Sequence, residues 1–337
     1  MTIGQRKKDH VSLSVSGEAS YSKPVGFERF DFIHNALPEI NLDEIDPSAE
    51  FLGYRADVPL FISSMTGGYT EAGQVNRIIA SFCQEHQIPF GVGSQRIMLE
   101  QPETTSSFSV VREKAPDAFI AANIGGCQLQ EAIQRDQVNV LIDAIQANAI
   151  IVHLNVLQEL MQPEGDRNFK GILQAIAALI NRTELPVIVK ETGAGVNGEA
   201  ARKLIDAGVS VVDVAGSGGT SWAKIENRRR HLEYHPFDEW GNSTVNCIIE
   251  ANQAGLAKNQ IVASGGVRTA VEMGKALCLG AGFTAMAQPV IERIHHGGYE
   301  ALETWYKELK HQFTVMMCLL GCRRVDDLNE GLLRNEK

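Results

Sequence analysis

Ala149-Ile150-Ile151-Val152-His153-Leu154 opens with four apolar residues in succession and runs straight into the polar cluster Asn155-Val156-Leu157-Gln158-Glu159. A short run without alternation suits a strand covered on both faces. Seven more runs of this kind recur: Pro59–Ser64, Ile88–Gly93, Ala118–Asn123, Pro186–Glu191, Val209–Ala215, Gln260–Ser264 and Gly282–Ala287. Most end in a polar or glycine-containing cluster. Between most of them lie stretches with helical spacing, such as Val75, Ile78, Ile79 and Phe82. Strand and helix alternating eight times predict an α/β fold, a parallel TIM (β/α)8 barrel with its chemistry at the C-terminal ends of the strands.

At 337 residues and 44% hydrophobic content, the chain has ample material for one large core. A net charge of −10 argues against nucleic acid, whose phosphates want a basic face. No stretch approaches the length of an apolar membrane span, and no apolar leader opens the chain, so a soluble cytoplasmic protein is expected. Six scattered cysteines without a Cys-x-x-Cys pair read as reduced, mostly buried thiols.

Residues 1–58 read as an extension packed on or over the barrel, or partly a mobile arm, and 59–337 as a single barrel domain with a C-terminal helical segment from Tyr299 to about Leu319. After the sixth strand, Gly216-Ser217-Gly218-Gly219-Thr220 leads into Ser221-Trp222 and the charged stretch Lys224–Arg230. Helical patterning resumes only near Thr244. A connection this long reads as a lid or binding loop.

Several strand ends carry groups that packing alone would not choose. Gly265 and Gly266, followed by Val267-Arg268, and Ala287-Gln288 occupy the ends of strands 7 and 8, where such barrels hold phosphate on backbone amides and a helix N-terminus. The glycines equally serve to turn a strand into its helix. Lys190 closes a buried strand and needs a carboxylate, a phosphate or an electron-rich cofactor. An ion pair with Glu191 would satisfy it too. Asn123 and Ser94 are polar groups at the tops of apolar runs, and Ser64-Met65-Thr66-Gly67-Gly68 is a turn that lets backbone approach a ligand. Together they outline an elongated ligand, anionic at one end, which FMN fits. Pyridoxal phosphate on Lys190 would leave the other polar clusters without a purpose. Glu159 is a hard oxygen ligand suited to Mg²⁺, with His153, Asn155 and Gln158 beside it. The alternative is an exposed glutamate and a satisfied core histidine.

These pieces resemble the type II, flavin-dependent isopentenyl diphosphate isomerases. The resemblance is carried by Arg6-Lys7-x-x-His10, Met65-Thr66-Gly67-Gly68, Ser94-Gln95-Arg96, Asn123-Ile124-Gly125, His153-x-Asn155-x-x-Gln158-Glu159, Lys190-Glu191 and Gly218-Gly219-Thr220-Ser221-Trp222. It implies interconversion of isopentenyl and dimethylallyl diphosphate with FMN held reduced, Mg²⁺, and NAD(P)H for priming. By that resemblance FMN would contact Ser64, Met65, Thr66, Ser94, Asn123, Lys190, Thr220, Gly265, Gly266, Arg268, Ala287 and Gln288. Substrate diphosphate would be held by Arg6, Lys7, His10, Arg96, His153 and Asn155, with Glu159 on Mg²⁺ and Gln158 near the reacting double bond. Gln158, Lys190 and Glu226 are the catalytic candidates. Glu226 is read as a loop carboxylate closing near the flavin, with a salt bridge to one of Arg228–Arg230 as its alternative. The resemblance also implies a homo-oligomer, a tetramer or octamer. One departure is Gly282, where the family often has Asp; a structural consequence without loss of activity is expected.

A 2-hydroxy-acid oxidase would place a His general base near Arg268, and none stands there in the sequence. A dehydrogenase using a cysteine nucleophile after strand 6 would need a Cys within 215–222, which holds none. A non-enzymatic binding barrel gives no reason for Glu159, Lys190 and the phosphate turns to share one rim.

Overall fold

The computed structural model describes the backbone of residues 3–335 and the side chains from Asp9 to Asn335. Eight strands form a closed barrel: β1 Leu60–Ile62, β2 Phe90–Gly91, β3 Ile120–Gly125, β4 Ala149–Leu154, β5 Val187–Glu191, β6 Val211–Asp213, β7 Ile261–Ala263 and β8 Phe283–Met286. Each lies parallel to the next, and β8 closes on β1 with Thr284 opposite Leu60. Every strand falls within or overlaps one of the eight apolar runs. Those runs do not alternate because helices cover the outer face and side chains fill the inner one.

Successive strand residues point to opposite faces. The inward set comprises Phe61, Ala121, Ala149, Ile151, Ile188, Val211, Val262, Phe283 and Ala285, a cluster separate from the outer core. Its N-terminal end is plugged by a hairpin of the extension, Ala49–Phe51 paired with Tyr54–Ala56. Phe51 sits there with its ring 5.3, 5.4 and 4.8 Å from Phe61, Phe119 and Phe283. Truncating it to alanine should cost about 3–5 kcal/mol, by loss of aromatic burial and the cavity left behind. A lower thermal midpoint with unchanged turnover per folded molecule is the expected result, because the plug and the strand C-termini lie at opposite ends.

The extension is also tied to the chain's end, since Phe30–Phe32 pairs antiparallel with Leu333–Asn335. Two segments depart from the sequence expectation. The C-terminal helix begins at Gln288, directly after β8, and runs to Leu320 with a break at Gly297–Gly298. Pro289 and the two glycines interrupt the apolar pattern, which hides the first part. Within the long loop after β6, Trp222–Arg229 is helical, capped by Ser221 Oγ accepting from the Lys224 amide. Its composition is too charged to read as amphipathic, but Ala223, Ile225, Glu226 and Asn227 are buried beneath it.

At Gly282 a Cβ would come within 2.5 Å of the Lys258 carbonyl oxygen, so no side chain fits there. All six cysteines are free thiols, and burial pushes Cys247 and Cys278 up to about 12. Among the described residues no helix is long and apolar enough to cross a membrane.

Candidate active site

Two positions beyond the inner apolar cluster the inward side chains turn polar. Asn123 follows Ala121, His153 follows Ile151, Lys190 follows Ile188, Asp213 follows Val211 and Ser264 follows Val262. Asn123, His153, Lys190 and Ser264 floor a cleft at the C-terminal rim, with Asp213 just beneath them. The cleft has two lobes that share His10, Ser64, Met65, Lys190, Thr192 and Trp222.

The first lobe encloses about 1110 Å³, counted out to open solvent. It is lined by Thr66, Thr220, Gly265, Gly266, Arg268, Ala287 and Gln288, among others. Gly265 and Gly266 have φ of 91° and 82°, and a Cβ on Gly265 would lie 1.9 Å from the Gly216 carbonyl oxygen. The two glycine turns after β6 and β7 therefore pack backbone against backbone. Gly265→Ala should abolish tight flavin uptake and lower stability by at least about 2 kcal/mol, since strain and overlap add. Flavin titration and a melt read both. Arg268 Nη1 donates to the carbonyls of Gly218 (3.2 Å) and Gly266 (3.3 Å), which holds its guanidinium at the lobe. The N-terminus of the helix Gln288–Leu320 opens onto the same lobe, a natural seat for an anion. Ser64 Oγ is buried without a hydrogen-bond partner among the described residues. A glycine cradle, a helix N-terminus, an arginine and an orphaned hydroxyl fit a phosphate-bearing, hydrogen-bonding cofactor such as FMN.

Lys190 Nζ makes its one hydrogen bond among the described residues to the Glu191 carbonyl, at 2.6 Å. Glu191 turns outward, and its Oε2 accepts from the amides of Thr192 (2.6 Å), Gly193 (2.6 Å), Ala194 and Gly195 (3.2 Å). That carboxylate shapes the β5 loop rather than pairing with Lys190. Burial raises its pKa, against the pull of those amides.

The second lobe gathers Ser94, Arg96, Asn123, Gln128, His153, Asn155, Gln158 and Glu159. Ser94 and Asn123, expected on the cofactor, line this side. His153 Nδ1 is 2.7 Å from Asn123 Oδ1, which fixes the imidazole. Asn155 Nδ2 donates to Gln158 Oε1 (3.2 Å) and Glu159 Oε1 (3.0 Å), and Glu159 Oε2 accepts from the Asp166 amide at 2.8 Å. Glu159 is 9% exposed and is held at the first turn of the helix Val156–Met161. Among the described residues the one three-membered set of metal-type ligands is Glu85, His86 and Glu303 on the outer helices. A Mg²⁺ at Glu159 would therefore complete its shell with substrate oxygens and water, which is its usual habit. Arg96 faces this lobe with Nε donating to Glu100 at 2.7 Å.

Arg6 and Lys7 belong to the N-terminal helix Ile3–Val15, with side chains outside the described residues. That helix brings His10, Val11 and Ser14 to the cleft. His10 Nε2 lies 2.9 Å from Glu226 Oε1, and its ring meets Trp222 edge-on at 5.0 Å. Glu226 is fully buried, also accepts from Arg229, and lines neither lobe. The arginine alternative for Glu226 is thus met by Arg229; the structure does not bring this carboxylate to the cleft surface. Asp213 escaped the sequence reading. Its one signal is that it is the only charged residue in the run Val209–Ala215. Burial raises its pKa, opposed by the Lys190 charge and a hydrogen bond from Ser264.

Barrel and cleft together define a flavin-binding β/α barrel protein. The profile of the FMN-dependent dehydrogenase family matches residues 128–335. The fold resembles that of the recombinant flavin-binding domain of baker's yeast flavocytochrome b2, with TM-score 0.68 and 19% identity over 96% of this chain and 79% of that one. It also resembles a soluble mutant of the membrane-associated (S)-mandelate dehydrogenase of Pseudomonas putida, with TM-score 0.71 and 16% identity over 99% of both chains. Isopentenyl-diphosphate delta-isomerase of Chlorobium luteolum is 40% identical over 98% of this chain and 95% of its own length. Its namesake from Nostoc sp. is 39% identical over 97% and 94%. The chain belongs to the type II, FMN-dependent isopentenyl-diphosphate delta-isomerase family.

Proposed function

We propose that this chain interconverts isopentenyl and dimethylallyl diphosphate by an allylic proton shift, using FMN held reduced, Mg²⁺, and NAD(P)H for priming. The observation that supports this most is the wall common to both lobes. A cofactor in the first lobe and a diphosphate in the second would meet across Ser64, Met65, Lys190 and Trp222. When bound, reduced flavin would supply a ring able to give and take protons with no net redox change.

The chain's own residues do the rest. His10, Arg96 and His153 offer donors to an anion, and Glu159 offers a carboxylate to the metal that neutralises it. Gln158 is a neutral amide placed to orient the five-carbon chain without adding charge. Met65 and Trp222 give that hydrocarbon an apolar surface and exclude water. Lys190 places a cation where the lobes join. The same reading takes the protein as a cytoplasmic homo-oligomer, which light scattering on the purified protein would measure.

The runner-up, a hydroxy-acid oxidase, is disfavoured because Arg268 is committed to the Gly218 and Gly266 carbonyls and, among the described residues, His10 is the sole histidine on the first lobe's lining. Anaerobic incubation of isopentenyl diphosphate with FMN, NADPH and Mg²⁺ should yield dimethylallyl diphosphate. Oxygen-linked turnover of a 2-hydroxy acid, with no isomerisation, would overturn the proposal.

A further inference from the structure

Asp213 is a buried carboxylate, 4% exposed, that neither lobe's lining includes. It faces Lys190 across the β5–β6 ladder, where their Cα atoms are register partners. Both point into the barrel, since Ile188 and Val211, two residues earlier, belong to the inner cluster. Asp213 Oδ1 accepts from Ser264 Oγ at 2.6 Å and from the Ala215 amide at 3.2 Å. Ser264 and Ala215 both line the first lobe. The carboxylate thus sits one hydrogen bond beneath the floor on which a flavin would rest, beside the cation that would face it.

Charge decides what this arrangement does. Reduced FMN carries more negative charge than oxidised FMN at neutral pH. A lone lysine at the lobe would favour the reduced form strongly and pin the added charge next to itself. A buried carboxylate at the adjoining ladder position opposes that field, and low local dielectric makes the opposition count.

We propose that Asp213 is the counter-charge of Lys190, a positioning residue that keeps the floor of the cofactor lobe near neutral and so limits the preference for reduced FMN. This rests on the cofactor reading given above. It suits a site meant to move protons at constant oxidation state, where charge locked beside Lys190 would hinder their exchange.

The test is anaerobic titration of the apoprotein with oxidised and with dithionite-reduced FMN. Asp213→Asn keeps the size of the side chain and an acceptor oxygen for Ser264. The ratio of oxidised to reduced Kd should rise about tenfold, the scale of a unit charge acting through protein. In Asp213→Asn/Lys190→Gln it should return to within about threefold of wild type, because coupled charges cancel in a double-mutant cycle. A purely structural role would not be rescued by removing the lysine. If Asp213→Asn fails to fold with its cation uncompensated, the double variant should fold and restore the ratio. An unchanged ratio in a folded Asp213→Asn, or a double variant as altered as the single one, overturns the proposal alone. A wild-type chain that takes up no FMN overturns the cofactor reading and this proposal with it.

Discussion

Replacing Glu159 by Gln should reduce Mg²⁺-dependent turnover about a thousandfold, the equivalent of the several kcal/mol that a metal's charge contributes to catalysis. FMN affinity should move by less than about threefold, within the usual scatter for a site that does not touch the ligand. The two effects separate because Glu159 lines only the second lobe. Gln keeps the shape, and its one oxygen still accepts from either Asn155 or the Asp166 amide, so only one of the two hydrogen bonds is lost and the local fold should hold. What it loses is the charge that attracts a divalent ion. Raised Mg²⁺ should recover part of the loss, and EDTA should bring the wild type down to the level of the variant. Equal loss of turnover and flavin binding would remove Glu159 from the metal role.

Glu226→Ala should lower kcat/KM about a hundredfold and stability by about 3–5 kcal/mol, because it removes the buried carboxylate that pairs with both His10 and Arg229. His10 and Arg229 both lean on this carboxylate, and Arg229 also reaches Glu164 at 3.2 Å across the second lobe's rim. Without Glu226 the N-terminal helix loses its buried tie to the helix Trp222–Arg229. Two outcomes discriminate the roles that the residue types allowed. If Glu226 holds His10 in place, KM for the diphosphate rises and residues 3–15 become accessible to limited proteolysis. If it transfers the substrate proton, kcat collapses at unchanged KM with the helix still docked.

The strands were readable because burial on both faces leaves an unbroken signature, as in Ile150-Ile151-Val152 and Val187-Ile188-Val189. The motifs at their ends were readable because a lysine or asparagine in such company needs a partner. Glu226 shows where that reasoning stops. Its neighbours in sequence, Arg228 to Arg230, made an ion pair foreseeable, but its pairing with His10 joins residues 216 positions apart. Asp213 stood in plain view as a charge in an apolar run, yet a buried acid has meaning only once its neighbours are known. The helix Trp222–Arg229 was hidden because its stability comes from packing against the rim, and propensity and apolar spacing record only what a helix does alone.

By itself the amino-acid sequence determined the barrel, the rim that carries chemistry and the family, since all three follow from local residue order. Only the tertiary structure decided that the rim is split into two lobes with a common wall, that Ser94 and Asn123 belong to the second, and that Glu226 lies beneath the cleft. The reason is geometric. Strand pleat fixes which residues face inward, but which inward residues meet depends on closure of the ring and on loops whose contacts span most of the chain.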